Sequence, residues 1–67
     1  MYGFNKRQLA TKVWVKCGRK EEKMTRGEAL KLFHEGMIYC DGSEQERYAT
    51  IFYQLLEGRK VVTDELF

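Results

Sequence analysis

The chain has 67 residues, of which 43% are hydrophobic and 33% charged, and it contains no proline. This length predicts one small domain over residues 1–67, and nine aromatic residues exclude a disordered chain because they can supply a core. The net charge is only +2, but residues 1–31 hold nine basic and three acidic side chains, whereas residues 32–67 hold three basic and seven acidic ones. Such a split indicates either an anionic partner or two halves that face each other.

The pattern over residues 1–24 predicts an N-terminal segment followed by a β-hairpin. Residues 1–10 show no clear hydrophobic period, which leaves a flexible or loosely docked arm, an edge strand and a short helical turn open. Apolar residues alternate with lysine and tryptophan over residues 11–17, and this period of two is typical of a strand. Gly18 ends that strand, and residues 21–24 are expected to return beside it as the second strand of the hairpin.

Two capping patterns predict two helices. Thr25 and Glu28 have the spacing of a capping box and predict a helix over residues 26–35, which Gly36 ends in the left-handed conformation. Residues 37–40 then form an apolar connection under the core. Ser43 and Glu46 form the second capping box, for a helix over residues 44–57 that stops at Gly58.

The second helix has an apolar arc of about 200° at 100° per residue, which is wide for a surface helix. Such a helix is either sandwiched between two elements or covers a partner. Residues 60–63 form a short strand candidate, expected beside residues 11–17.

These elements predict an α+β fold in the order β-β-α-α-β. A two- or three-stranded antiparallel sheet carries two helices packed on one face. The predicted core consists of the apolar positions that share these faces: Val13, Val15, Ala29, Leu30, Phe33, Tyr48, Ile51, Phe52 and Leu55.

The most specific functional pattern is an aromatic residue between cations on the first strand. Trp14 shares a strand face with Lys12 and Lys16, and Arg19 and Lys20 follow in the turn. An exposed aromatic residue flanked by cations can stack on a base and contact phosphates, so these five residues are candidate nucleic-acid-binding residues. Two alternatives remain open: Trp14 packs against the N-terminal arm or the closing strand, or it faces the helices.

The residues that could carry other chemistry do not form a known motif. Cys17, His34 and Cys40 have spacings that match no zinc pattern, and two cysteines do not make a disulfide framework, although a Cys17–Cys40 bridge is an alternative to two reduced thiols. Nothing in the sequence indicates an activating base for a cysteine nucleophile. We therefore predict no metal, no cofactor, no small-molecule substrate and no enzyme activity.

The third candidate functional surface is a protein interface, because the chain has more apolar residues than one buried helix face would use. Tyr39, Tyr53, Leu56 and the terminal Leu66 and Phe67 are candidate protein-interface residues, because aromatic residues at helix boundaries are enriched in interfaces. The alternative is that the hairpin and the last strand cover them within one monomer.

The segment Asp41-Gly42-Ser43-Glu44-Gln45-Glu46-Arg47-Tyr48, followed by Leu55-Leu56-Glu57-Gly58-Arg59-Lys60-Val61-Val62-Thr63-Asp64, resembles a group of short uncharacterised proteins. They are carried on conjugative elements and phages of Gram-positive bacteria. The resemblance covers residues 25–64 and rests mainly on caps, core and turns. It implies a mobile-element accessory protein and transfers no activity.

Together these observations predict a non-enzymatic interaction module that binds a protein partner or itself. The alternative is a nucleic-acid-binding accessory protein that uses the basic hairpin and Trp14. The chain has no N-terminal apolar run like that of a signal peptide and no apolar segment of membrane-spanning length. We therefore expect a cytoplasmic location and no membrane partner.

Overall fold

The computed structural model describes residues 3–64, which form an α+β domain of three helices and one three-stranded sheet. A short helix α1 precedes the predicted order β-β-α-α-β. The elements are α1 (Lys6–Leu9), β1 (Lys12–Cys17), β2 (Lys20–Thr25), α2 (Arg26–Tyr39), α3 (Gly42–Leu56) and β3 (Val61–Thr63).

The sheet is mixed, so the prediction of a purely antiparallel sheet is wrong. The strand order is β2-β1-β3, with β1 antiparallel to β2 and parallel to β3. The reason lies in the two helices between β2 and β3. Because α2 and α3 each reverse the chain direction, the chain enters β3 running in the same direction as β1.

The N-terminal segment forms a helical turn, one of the three predicted alternatives. Asn5 and Gln8 form a capping box: Gln8 N–H donates to Asn5 Oδ1 at 2.8 Å and Asn5 N–H donates to Gln8 Oε1 at 3.0 Å. Phe4 and Leu9, on either side of this box, pack against the core. The segment is therefore tied to the domain by apolar contacts.

The core lies between one face of the sheet and the two long helices. Eight of the nine predicted core residues are buried. The ninth, Tyr48, is half-buried, and its ring centroid lies 5.7 Å from that of Phe33. Val62, which was not among the predicted core residues, is fully buried on β3. A strand of three residues is too short to show a hydrophobic period.

Helix α2 continues past Gly36, where it was predicted to end, and its last residue is Tyr39. The prediction of an apolar connection over residues 37–40 is therefore wrong, because residues 37–39 are helical. Gly36 has another function, because it lets α3 approach. A Cβ atom at this position would lie 2.7 Å from Cδ2 of Tyr48. The Thr25 half of the predicted Thr25–Glu28 capping box is confirmed, since Glu28 N–H donates to Thr25 Oγ1 at 3.2 Å.

We expect Gly36→Ala to destabilise the domain by about 1–2 kcal/mol, although alanine favours a helix by about 1 kcal/mol over glycine. The new methyl group would force the Tyr48 ring and α3 away from α2. Chemical denaturation monitored by circular dichroism measures the effect. Gly27→Ala is the matched control in the same helix, because the nearest contact of its Cβ would be Leu9 O at 3.4 Å. Stabilisation by Gly36→Ala would contradict the close packing of the two helices.

Helix α3 begins at Gly42, with Asp41 as the N-cap residue and no side-chain capping bond, so the predicted Ser43–Glu46 capping box is wrong. The longer α2 leaves only Cys40 and Asp41 as the connection, and α3 therefore starts one residue before Ser43. The predicted stop is confirmed: Gly58, with φ of +91°, follows the helix.

The end of α3 is held by a buried arginine that the sequence analysis did not select. Arg26 is only 4% exposed. Its Nη1 donates to Leu55 O at 2.8 Å and its Nη2 donates to Gly58 O at 3.2 Å. These carbonyls lie at the C-terminal end of α3, where the helix dipole is negative and favours a cation. The guanidinium thus adds a second donor to Leu55 O, which also accepts from Gly58 N–H at 3.1 Å, and a side-chain donor to Gly58 O.

A glutamine of α3 binds the outer edge of β3. The side-chain amide of Gln54 donates from Nε2 to Thr63 O at 2.8 Å and accepts from Thr63 N–H through Oε1 at 3.1 Å. This pair of bonds resembles the exchange between two antiparallel strand residues. Both backbone groups of Thr63 that point away from β1 are therefore satisfied by a side chain.

Candidate nucleic-acid interface

The face of the sheet that points away from the helices is the candidate interface, here called the outer face. Side chains alternate along each strand, and paired residues of neighbouring strands point to the same side. Val13, Val15 and Val62 are buried against the helices. The residues on the outer face are therefore Lys12, Trp14, Lys16, Glu21, Lys23, Thr25, Val61 and Thr63.

Trp14 lies at the centre of this face and is 48% exposed. It is on β1, the middle strand, with Lys23 as its neighbour on β2 and Val61 on β3. Lys23 Nζ is 5.6 Å from the centroid of the indole ring, a cation–π distance. The alternative that Trp14 faces the helices is wrong, because the two valines beside it on β1 do so. Val61 of the closing strand lies next to the indole and leaves about half of it accessible.

Lysines surround the tryptophan on this face. Lys12 and Lys16 flank Trp14 along β1, and Lys23 lies across from it on β2. The one carboxylate of the outer face belongs to Glu21, which is 3.9 Å from Lys16 Nζ. Both side chains of that pair are exposed, so the pair contributes little stability and can open.

Not all the residues selected from the sequence belong to this face. Lys12, Trp14 and Lys16 lie together on it, and Arg19 is exposed in the turn beside Gly18. Lys20 does not join them: it pairs with Cys17 at the start of β2, so its side chain lies on the helix side of the sheet. Lys23 was not among the residues selected from the sequence, although a two-residue hairpin loop would have placed it opposite Trp14.

The candidate protein-interface residues lie on different surfaces. Tyr39 is 83% exposed at the end of α2, whereas Tyr53 is 58% exposed and lines a separate hollow with His34. Leu56 is half-buried and packs against the core, which supports the alternative that it is covered within the monomer. Leu66 and Phe67 lie outside the described residues.

A groove of about 410 Å³ runs between β2 and α2, here called the β2–α2 groove. Its apolar lining includes Val15, Met24, Leu32, Phe33, Tyr39 and Tyr48. Three charged side chains, those of Lys20, Glu22 and Glu35, also line it. A groove of this size can accept one or two side chains of a partner or a small ligand.

The two thiols are free and poorly suited to nucleophilic attack. Partial burial and the nearby carboxylate of Asp64 raise the pKa of Cys17, whose Sγ lies 3.9 Å from Asp64 Oδ2. Partial desolvation and the neighbouring Glu44 likewise raise the pKa of Cys40. Both thiols therefore stay protonated at neutral pH, and the thiolate is the form that attacks or binds metal.

His34, the third residue considered as a possible metal ligand beside Cys17 and Cys40, packs on an aromatic ring. The ring of His34 lies 5.7 Å from that of Phe52, on the helices. Within residues 3–64, no three histidine, cysteine or acidic side chains come together in a group that could hold a metal ion. In the same part of the chain, no helix has both the length and the apolar character to cross a membrane.

Comparison of the chain with protein-family models, with curated proteins and with solved structures found no match. The candidate function therefore rests on the geometry described above.

Proposed function

We propose that this chain binds single-stranded nucleic acid on the outer face of its sheet. The observation that carries the proposal is the half-exposed Trp14 on the central strand, with lysines on three sides. The open face supports the nucleic-acid hypothesis, because base stacking requires an accessible aromatic ring with cations beside it.

Stacking and charge act together in this proposal. A nucleobase stacks on the indole ring of Trp14 and displaces the Lys23 ammonium group, which lies over that ring in the structure. Lys12 and Lys16 lie about 7 Å from Trp14 on either side along the strand, so their ammonium groups reach phosphates on both sides of the stacked base.

The target is single-stranded because stacking on a side chain requires a base whose faces are free. Bases in a duplex are stacked on each other and paired, and a side chain on a sheet face cannot reach between them without unstacking. A nucleic-acid-binding role also fits an accessory protein of a conjugative element or phage, as the resemblance of residues 25–64 implies.

We expect a 12-nucleotide oligothymidylate to quench the fluorescence of Trp14, which is the only tryptophan of the chain. Removing the ring in Trp14→Ala should weaken binding about 5- to 100-fold, as for other base-stacking residues, measured by anisotropy of a labelled oligonucleotide. Lys12→Ala and Lys16→Ala should each reduce the slope of log affinity against log salt by about 0.7, because each removes one phosphate contact.

Lys31→Ala is the matched control, because this exposed lysine lies on α2, away from the outer face. It should leave both affinity and salt slope nearly unchanged. Flat titrations with single-stranded DNA and RNA at low salt would refute the proposal. Equal affinity for a duplex of the same length would refute the stacking mechanism.

A further inference from the structure

Strand β2 has a free backbone edge, and the hydrogen bonds of β1 show which groups it offers. Trp14 N–H donates to Lys60 O on the β3 side, so the backbone groups of Val13 and Val15 face β2. Their partners on β2 are Met24 and Glu22. The alternating residues Glu21 and Lys23 therefore direct their N–H and C=O groups outward, and no further strand lies there within residues 3–64.

The β2–α2 groove lies on the helix side of this edge. Glu22 and Met24 point their side chains into it from β2, while Leu32 and Tyr39 border it from α2. A strand added beside β2 would alternate its side chains between the two faces of the extended sheet. Every second side chain would thus enter the groove, and the others would join the outer face.

Charge indicates which kind of strand fits. Of the charged side chains in the groove, Glu22 and Glu35 are acidic and only Lys20 is basic. The ion pairs found within residues 3–64 involve other residues, namely Lys16 with Glu21 and Arg59 with Glu57. The groove therefore favours a cation beside its apolar floor, the reverse of the outer face. The acidic side chains disfavour nucleic acid as the occupant, because nucleic acid is anionic. Nucleic acid also has no peptide N–H and C=O groups with which to pair with the β2 edge.

We infer that the β2–α2 groove binds an extended segment of a partner protein, which pairs with β2 as a fourth strand. The segment inserts an apolar side chain next to Met24 and, two residues away, a lysine or arginine next to Glu22. Backbone hydrogen bonds to Glu21 and Lys23 hold it, and the groove selects its sequence. The charges on β2 restrict this pairing to matching partners, because an unmatched apolar strand would desolvate them. This inference does not rest on the proposed nucleic-acid function, because it is argued from the β2 edge and the groove and not from Trp14.

The test uses the full chain and the peptide acetyl-Thr-Val-Thr-Leu-Thr-Lys-Thr-amide, with binding measured by ¹⁵N NMR. We expect the largest shifts at the amides of Glu21 and Lys23. Two N-methylated peptides test the backbone bonds. The order Leu-Thr-Lys places leucine next to Met24 and lysine next to Glu22 only in antiparallel pairing. Methylation of the threonines should therefore abolish binding, whereas methylation of the valine, leucine and lysine should leave the hydrogen bonds to Glu21 and Lys23 in place. Equal binding of the two methylated peptides, or no binding of the parent peptide at about 5 mM, would overturn the inference.

A charge exchange tests the selectivity of the groove. The double variant Glu22→Lys, Glu35→Lys should bind the lysine peptide about tenfold more weakly and should prefer a peptide with glutamate in place of the lysine. Glu46→Lys, outside the groove on α3, is the matched control and should leave the preference unchanged. Unchanged preference in the double variant would overturn the inference. A dimer in sedimentation equilibrium that excludes the peptide would also overturn it and assign the edge to a second copy of the chain.

Discussion

Arg26→Met is expected to lower the free energy of unfolding by about 2–5 kcal/mol, because it removes two charge-assisted hydrogen bonds from a buried guanidinium to the backbone. Leu55 O and Gly58 O at the end of α3 each lose a hydrogen bond to the guanidinium. A domain of this size is stable by only about 3–10 kcal/mol, so the variant loses a large share of its stability. Thermal unfolding followed by circular dichroism should show a Tm lower by about 10 °C or more.

Two further variants separate the hydrogen bonds from the charge. Arg26→Lys keeps the charge, but its single ammonium group cannot reproduce the two-pronged contact, so its stability should lie between those of wild type and Arg26→Met. Arg7→Met removes an exposed arginine of α1 and should change stability by less than about 0.5 kcal/mol. Full stability of Arg26→Met would mean that the desolvation of the guanidinium costs as much as its bonds contribute.

The second large effect is expected for Phe52→Ala, at about 3–5 kcal/mol. The Phe52 side chain is only 6% exposed in the core between the helices and the sheet, with the rings of His34 and Tyr53 at 5.7 and 6.1 Å. Truncation removes buried apolar area and leaves a cavity that the short helices cannot close. Urea denaturation at pH 7 measures the loss, provided that the variant still folds.

The neighbouring aromatic residue provides the control for Phe52. Tyr53 follows it in α3 but is 58% exposed, so Tyr53→Ala should cost less than about 1 kcal/mol. If both variants lost the same stability, the orientation of α3 in the structure would be wrong.

The sequence predicted the elements of this fold better than their connections. Alternation over β1 and the apolar arcs of the helices correctly identified most of the buried residues, because burial imposes a period on a strand or helix. The end of α2 was wrongly predicted, since Gly36 can either end a helix or admit a neighbouring ring, and only the position of Tyr48 decides between these functions. The direction of β3 depends on how two helices turn, which has no local signal.

The candidate sites were predictable to different degrees. The shared face of Lys12, Trp14 and Lys16 follows from strand alternation alone. Whether that face was covered depended on tertiary structure, because a tryptophan on a strand fits either a core or an open surface. The β2–α2 groove lies between a strand and the helix that directly follows it, but the sequence pattern of neither element shows that they leave a hollow between them. The buried Arg26 was hidden for a different reason, since its partners come more than 25 positions later.

The Gln54 amide on Thr63 has a consequence for assembly. A sheet that grows by edge pairing into a filament needs two accessible edges on every molecule, one for each neighbour. Here a strand arriving at β3 would first have to displace two hydrogen bonds from Thr63, whereas β2 needs no such exchange. Pairing through β2 therefore terminates after one event, which permits a one-to-one complex or a closed dimer and works against fibre formation at high concentration.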